Sequence, residues 1–114
     1  MIEINNDKEV FIVLTTEANF EKAEYLCHKI LVTRLAACVN FKEVESHFWW
    51  EGKLEHVKEV QLFVKTTKEK LSLLLEKIKE IHSYKNPEII LWKASASKAY
   101  MEWINEEINS KDAF

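Results

Sequence analysis

The spacing of apolar residues changes several times along the chain, and each change predicts a new element of secondary structure. Residues 9–16 are almost continuously apolar and rich in β-branched side chains, which predicts a central strand covered on at least one face. After Asn19, a candidate N-cap, apolar residues recur every three or four positions as far as Leu35. That spacing is typical of an amphipathic helix.

From residue 36 the apolar period changes to two, which predicts a long strand running through the aromatic residues 48–50. A second strand over residues 54–67 follows directly. Gly52, the single glycine of the chain, lies between them at a point where a positive φ costs little. The two strands are therefore predicted to form one long hairpin that turns at Gly52.

The remaining third of the chain predicts two helices with a strand between them. Residues 71–81 have helical spacing after Thr67, a candidate cap, and Pro87 ends that helical region. Residues 88–92 read as a strand, and Ser97 is placed to cap a last helix. The order is β-α-β-β-α-β with a C-terminal helix, so the predicted fold is an α+β, ferredoxin-like domain with a protruding β-hairpin.

The predicted hairpin is too long to stay within a compact domain. A chain of this length has a diameter of about 35 Å, whereas the 14 residues from 54 to 67 reach about 46 Å as a strand. The tip would then expose Phe48, Trp49 and Trp50, which favours cover by a second copy of the chain. The alternative is a β-bulge that folds the hairpin back onto its own sheet.

Composition narrows the class of protein. A chain of 114 residues has room for one domain, spanning 1–114, and its net charge of −3 is spread without the basic stripe that nucleic-acid binding needs. No apolar run approaches the roughly 20 residues of a membrane-spanning helix. Cys27 and Cys38 form no C-x-x-C motif, which is consistent with a reducing compartment. The expected location is the cytoplasm.

Several short motifs, in order and over roughly residues 10–108, resemble the CutA family of divalent-cation tolerance proteins. The resemblance implies a homotrimer of ferredoxin-like subunits, similar in fold to the nitrogen-regulatory PII proteins, and a link to tolerance of copper and other divalent cations. The chain departs from the family pattern at Ser83 and Lys85, where a proline and an acid are usual, and over residues 93–97, where the usual Pro and Gly-Asn are absent. The matching motifs are Leu35-Ala36-Ala37-Cys38-Val39-Asn40, Trp50-Glu51-Gly52-Lys53, Lys58-Glu59-Val60, Lys65-Thr66, His82-x-Tyr84-x-x-Pro87-Glu88 and Tyr100-Met101-Glu102-Trp103-Ile104.

No metal-binding motif is visible in the histidine spacing. None of the four histidines pairs with another at i, i+3 or i, i+4, the spacing that places two imidazoles on one helix face. In the family resemblance, the copper-ligand positions correspond to Thr15, Ile81 and His82, of which only His82 could bind a metal. The alternative for His82 is a role at the helix end, where a protonated imidazole interacts favourably with the helix dipole.

A cleft between subunits is the second candidate site. Its expected lining combines a cation, two acceptors and two aromatic rings, and the alternative is ordinary interface packing with ion pairs. The candidate lining residues are Trp50, Glu59, Lys65, Tyr84 and Glu88.

Two functions therefore compete. The first is a homotrimer linked to divalent-metal tolerance, with weak binding of Cu²⁺ or another divalent cation and no required cofactor. The alternative is a PII-like regulatory or scaffolding trimer that binds a small anion or metabolite. An enzyme is not expected, because no catalytic fingerprint occurs and Cys38 has apolar strand neighbours.

Overall fold

The computed structural model describes residues 1–5 and 7–111, and it confirms the predicted order of elements. The four strands form one antiparallel sheet in the order β2-β3-β1-β4, which is the ferredoxin-like arrangement. The elements are β1 (Val10–Glu17), α1 (Phe20–Val32), β2 (Cys38–Trp50), β3 (Lys53–Thr67), α2 (Lys68–Ile81), β4 (Ile90–Ala94) and α3 (Lys98–Asn109).

Two of the three predicted helix caps make the expected hydrogen bond. The Asn19 side chain accepts from the Lys22 backbone N–H at 2.9 Å, and the Ser97 hydroxyl accepts from the Tyr100 N–H at 3.3 Å. Each bond satisfies one of the backbone donors that a helix start leaves without an intrahelical partner. Thr67 occupies the N-cap position of α2, but its side chain makes no capping bond.

Helix α1 ends earlier than the apolar spacing indicated, so Leu35 lies beyond it. Arg34 adopts a left-handed φ of 58°, and its N–H donates to the Leu31 carbonyl at 3.1 Å. The Leu35 N–H reaches back to the Ile30 carbonyl at 3.2 Å. This pair of bonds is the Schellman ending, here without the usual glycine. The Arg34 guanidinium also donates to the Glu107 carbonyl and carboxylate, which ties this corner to α3.

The core lies on both faces of the sheet, unequally. The larger cluster packs α1 and α2 against residues such as Val13 and Leu62, and the smaller one packs α3 against Val10 on the opposite face. Strand β4 is shifted from the predicted residues 88–92 because its pairing with β1 runs from Ile90 to Ala94. Register is thus decided by the partner strand.

The hairpin projects, as its length predicted. Pairing of β2 with β3 runs without interruption from Cys38–Lys65 to Trp50–Lys53, so the bulge alternative is wrong for this chain. Glu51 and Gly52 both have positive φ, 49° and 78°, which defines a two-residue type I′ turn. The Cα radius of gyration is 15.4 Å, above the roughly 13 Å of a compact chain of this size. At the tip Trp49 is 71% exposed and Trp50 is 59% exposed.

Among the described residues, 1–5 and 7–111, no helix is both long and apolar enough to cross a membrane.

Candidate functional site

Side chains from three segments that are distant in sequence lie together near the C-terminal ends of β1 and α2. Glu17 is the last residue of β1, Glu59 lies within β3, and His82 caps the C-terminal end of α2. Ser83 and Tyr84 follow in the loop before β4. We refer to these residues, together with Thr15, as the His82 cluster.

His82 is fully enclosed, and both of its ring nitrogens are hydrogen-bonded. The Tyr84 backbone N–H donates to Nδ1 at 3.0 Å, so Nδ1 acts as an acceptor. Nε2 lies 3.1 Å from the Thr15 hydroxyl oxygen and is therefore the protonated nitrogen, donating to it. The side chain has 0% exposure. These contacts define one tautomer of a neutral imidazole.

Glu17 has a buried carboxylate, and both of its oxygens accept hydrogen bonds. The Ser83 N–H donates to Oε2 at 2.9 Å, the Ser83 hydroxyl donates to Oε1, and the Ala18 N–H donates to Oε1 at 3.1 Å. Oε2 also lies 3.5 Å from His82 Nδ1, and the side chain is only 1% exposed. Donors of this kind offset the cost of removing a charged carboxylate from water.

Tyr84 and Glu59 form the second half of the cluster. The Tyr84 phenol donates to Glu59 Oε2 at 2.6 Å, within the range of charge-assisted O–H···O⁻ bonds. Burial raises the pKa of the Tyr84 phenol well above its ordinary value, and the hydrogen bond to Glu59 and the charges of Glu59 and Glu17 raise it further. The phenol therefore stays protonated and holds the loop against β3.

The other predicted cleft residues do not join this cluster within one chain. Trp50 lies at the hairpin tip, Glu88 is exposed in the loop before β4, and the Lys65 ammonium lies 6.0 Å from the centre of the Tyr100 ring. Only Glu59 and Tyr84 of the predicted set are brought together. A cleft built from two subunits remains a prediction.

No preformed metal centre is visible in the described part of the chain. Within residues 1–5 and 7–111, no group of three or more His, Cys, Asp or Glu side chains is arranged to hold an ion. Copper binding at His82 remains a prediction, and it would require the ring to give up one of its two hydrogen bonds.

An open cavity of about 300 Å³ borders the cluster at the start of α1. It combines carboxylates with a lysine, an aromatic ring and an aliphatic side chain. Its lining residues are Glu17, Glu21, Lys22, Tyr25, Ile81 and Ser83.

One pair of histidines was missed by the sequence reasoning. His47 and His56 face each other across the hairpin with ring centroids 4.0 Å apart. Helical spacing could not reveal them, because they lie on different strands. The available signal was their equal distance from the turn, three positions outside the Trp50–Lys53 pair on either side.

Comparison with known families adds an independent finding. The family model described as "CutA1 divalent ion tolerance protein" matches residues 11–107. A curated relative, the divalent-cation tolerance protein CutA of Pyrococcus horikoshii, is 39% identical over 99 residues, covering 86% of this chain and 97% of the relative. Its counterpart in Archaeoglobus fulgidus is 36% identical over 97 residues, covering 84% of this chain and 95% of the relative.

Solved structures give the same result for the fold. CutA from Synechococcus elongatus superposes with a TM-score of 0.90 at 27% identity, covering 94% of this chain and 96% of that one. The A. fulgidus protein, described as a periplasmic divalent cation tolerance protein, gives a TM-score of 0.84 at 35% identity, covering 88% and 99%. The ferredoxin-like architecture is therefore common to this chain and these structures.

Proposed function

The chain belongs to the CutA1 divalent ion tolerance family, and on that premise we propose that it acts as a homotrimer in tolerance of divalent cations such as copper. Its contribution is non-enzymatic and involves weak metal-ion binding. The family match carries the cation-tolerance part of the proposal, since the relatives' names describe tolerance and no reaction. The exposed hairpin carries the assembly part.

Assembly is supported by the apolar surface and free strand edges of the hairpin. Phe48, Trp49, Trp50 and Leu54 are all exposed in the single chain, and isolated domains rarely leave such a patch uncovered. A neighbouring copy would remove this surface from water and pair the ribbon's free edges. Light scattering at low micromolar concentration is expected to give about three times the chain mass of 13.5 kDa. A monomer at that concentration would contradict the proposal.

Weak copper binding is expected because the positions that bind copper in the family are occupied here by residues that are poor or unavailable ligands. Thr15 offers a neutral hydroxyl, which is a poor ligand for Cu²⁺, and His82 already uses both ring nitrogens. Calorimetry with Cu²⁺ should give high-micromolar binding that is the same in wild type and His82→Ala. Submicromolar binding of one ion per chain, lost in His82→Ala, would instead place a dedicated copper site at His82.

The tolerance itself is tested in cells. Deleting the gene should lower the copper concentration that stops growth, and wild-type protein should restore it. A variant that folds but assembles more weakly, such as Trp50→Ala, should restore it less well than wild type if the trimer is the active form. Unchanged copper sensitivity on deletion would contradict the proposal.

Location in the cytoplasm is part of the proposal. Cys27 and Cys38 are both free thiols in the structure, and free thiols persist in reducing compartments. Fractionation of cells with an antibody to the chain tests this, and recovery in the periplasm would contradict it.

A second candidate is the PII-like role, in which the trimer binds a small metabolite. The observation that favours it is the cavity of about 300 Å³ beside the His82 cluster. Glu21 and Lys22 offer one charge of each sign to a ligand, because the Glu17 carboxylate in the same lining already accepts hydrogen bonds from Ser83 and Ala18. A thermal-shift screen against polyamines, basic amino acids, nucleotides and organic acids separates these classes, since a ligand that binds the folded state raises the melting temperature.

A further inference from the structure

Two histidines face each other across the hairpin, away from the His82 cluster. His47 on β2 lies directly opposite His56 on β3, and their rings stack with centroids 4.0 Å apart and an interplanar angle of 13°. Both residues are exposed, so water reaches the two rings. The pair can therefore respond to a change in pH, and the proposed function assigns it no role.

The register of the hairpin holds the two rings close together. The Trp50–Lys53 pair closes a two-residue turn and is hydrogen-bonded, so the alternation of an antiparallel ladder makes His47–His56 a non-hydrogen-bonded pair. Side chains lie closest at such positions, where directly opposite Cβ atoms are about 4.5–5.5 Å apart. Charges on the two rings therefore stay within interaction range while the strands are paired, whichever way the side chains turn.

The charged side chains on this face of the hairpin come from both strands. Glu45, two residues before His47 on β2, lies on the same face because strand side chains alternate, and its Oε1 is 3.6 Å from His56 Nε2. Lys58 of β3 lies opposite Glu45, and Glu43 belongs to the next pair on this face, further from the tip. The neighbouring pair on the tip side is apolar. Glu45 therefore favours a proton on His56, its ion-pair partner.

Protonation changes the stack from a neutral contact to a repulsive one. Imidazole is the side chain whose charge ordinarily changes between about pH 5 and 8. A first proton can be held beside Glu45, whereas a second places like charges directly opposite each other on adjacent strands, which destabilises the pairing. An open hairpin separates the rings and binds the second proton more readily. By linkage, a fall in pH then favours the open hairpin.

We propose that the His47–His56 pair is a proton-sensitive switch in the hairpin: the two strands stay paired while at most one ring is charged, and they loosen when both are. Because the hairpin also carries the proposed interface, acidification weakens association of the subunits as well. That second effect rests on the proposed homotrimer, whereas the loosening of the hairpin does not. The switch acts as pH falls through the range in which imidazoles titrate, above that of most carboxylates.

Amide exchange at about pH 7.5 and about pH 5.5 tests the switch on the protein in its native assembly state. Protection factors, which remove the intrinsic pH dependence of exchange, should fall about two- to fivefold over 44–59 in wild type, the size expected when one cross-strand pair becomes repulsive. Those over 60–67 should stay constant. His47→Phe keeps a ring in the stack but cannot take up a proton, so its hairpin should be equally protected at both pH values. His28→Ala, on the exposed face of α1, is the matched control and should behave as wild type does.

A second readout on wild type guards against a variant that disturbs the hairpin. In an NMR titration, the ring-proton signals of His47 and His56 should each respond to two protonation steps. Single-step curves for both rings would overturn the switch. Constant protection over 44–59 in wild type, or an equal loss in wild type and His47→Phe, would overturn it too.

Light scattering at the same two pH values separates the switch from the proposed function. Earlier dissociation of wild type on dilution in acid, absent in His47→Phe, would extend the switch to assembly. A monomer at both pH values would contradict the homotrimer alone, because amide exchange and the NMR titration still decide whether the hairpin responds to protons.

Discussion

Strand β3 has two halves with opposite environments. From Val60 to Thr67 alternate side chains are buried beneath α1 and α2 and none is fully exposed, whereas from Lys53 to Lys58 almost all are exposed, although the pairing with β2 continues unchanged. The pairing with β2 is thus the same in both halves, but only the buried half also pairs with β1 on its other edge. The buried half, which we call the base of the sheet, therefore contributes most of the free energy of unfolding. The exposed half is an ordered surface that is free to contact another molecule.

The most direct test of this difference in burial is to truncate one leucine in each half of β3. Leu62→Ala, at a fully buried position, should lower the free energy of unfolding by about 2–5 kcal/mol. Leu54→Ala, at an exposed position of the same strand, should change the stability of the isolated chain by about 0.5 kcal/mol or less. Urea unfolding with the two variants in parallel measures both. Equal losses would mean that the hairpin is already buried in the unit that unfolds.

Substitutions in the hairpin should weaken subunit association, whereas substitutions in the base of the sheet should lower the free energy of unfolding. Trp50→Ala is expected to weaken association by at least about 2 kcal/mol, the loss typical of a central aromatic residue at an interface. Lys53→Ala, its cross-strand partner, is the matched control, because a truncated lysine at the tip removes little apolar contact. Light scattering over a dilution series compares them. A Trp50→Ala variant that dissociates no earlier than wild type would show that this indole lies outside the interface.

The turn at Gly52 connects the two exposed strand segments, and a substitution there tests whether the hairpin loosens independently of the base. Gly52 has a φ of 78°, and a Cβ placed there would meet no other atom within 4 Å. Gly52→Ala should therefore cost only the backbone term, about 1–2 kcal/mol for a left-handed residue with a side chain. Because the turn fixes the register of both strands, the loss should appear as faster amide exchange along 44–59 and not at the base. If amide exchange became faster by the same factor over the whole sheet, the hairpin would not open independently of the base.

The smallest expected effect lies at the junction of the two halves, where Tyr84 holds Glu59. Tyr84→Phe should lower the free energy of unfolding by about 1 kcal/mol, since the lost hydrogen bond leaves a partly buried carboxylate with one partner fewer. Tyr25→Phe, at an exposed tyrosine of α1, is the control and should be near neutral. Thermal unfolding of both variants measures the difference, and equal melting temperatures would show that this bond adds nothing.

The same tyrosine predicts a pH dependence. A raised pKa means that the folded chain keeps the Tyr84 proton after the unfolded chain has lost it, near pH 10. The unfolded state then binds fewer protons, so the free energy of unfolding falls as pH rises above about 10. This fall should be shallower in Tyr84→Phe than in wild type. An identical alkaline slope in the two proteins would show that the phenol does not contribute to it.

The sequence by itself determined the order of the elements, two helix caps, the turn at Gly52 and the projection of the hairpin. Each depends on local periodicity or on length, because backbone geometry fixes the rise per residue of a strand and the face on which each side chain lies. Asn19 and Ser97 were predictable as caps for the same reason, since the cap and its N–H partner are three residues apart.

Only the tertiary structure brought the residues of the His82 cluster together. Thr15 and His82 are 67 residues apart, and no local pattern specifies the hydrogen bond between them. The shift of β4 to Ile90–Ala94 was likewise decided by its pairing with β1, and the stack of His47 on His56 by the register of the hairpin. Contacts between distant residues depend on how whole elements pack and pair, and single-residue preferences along the chain do not encode that choice.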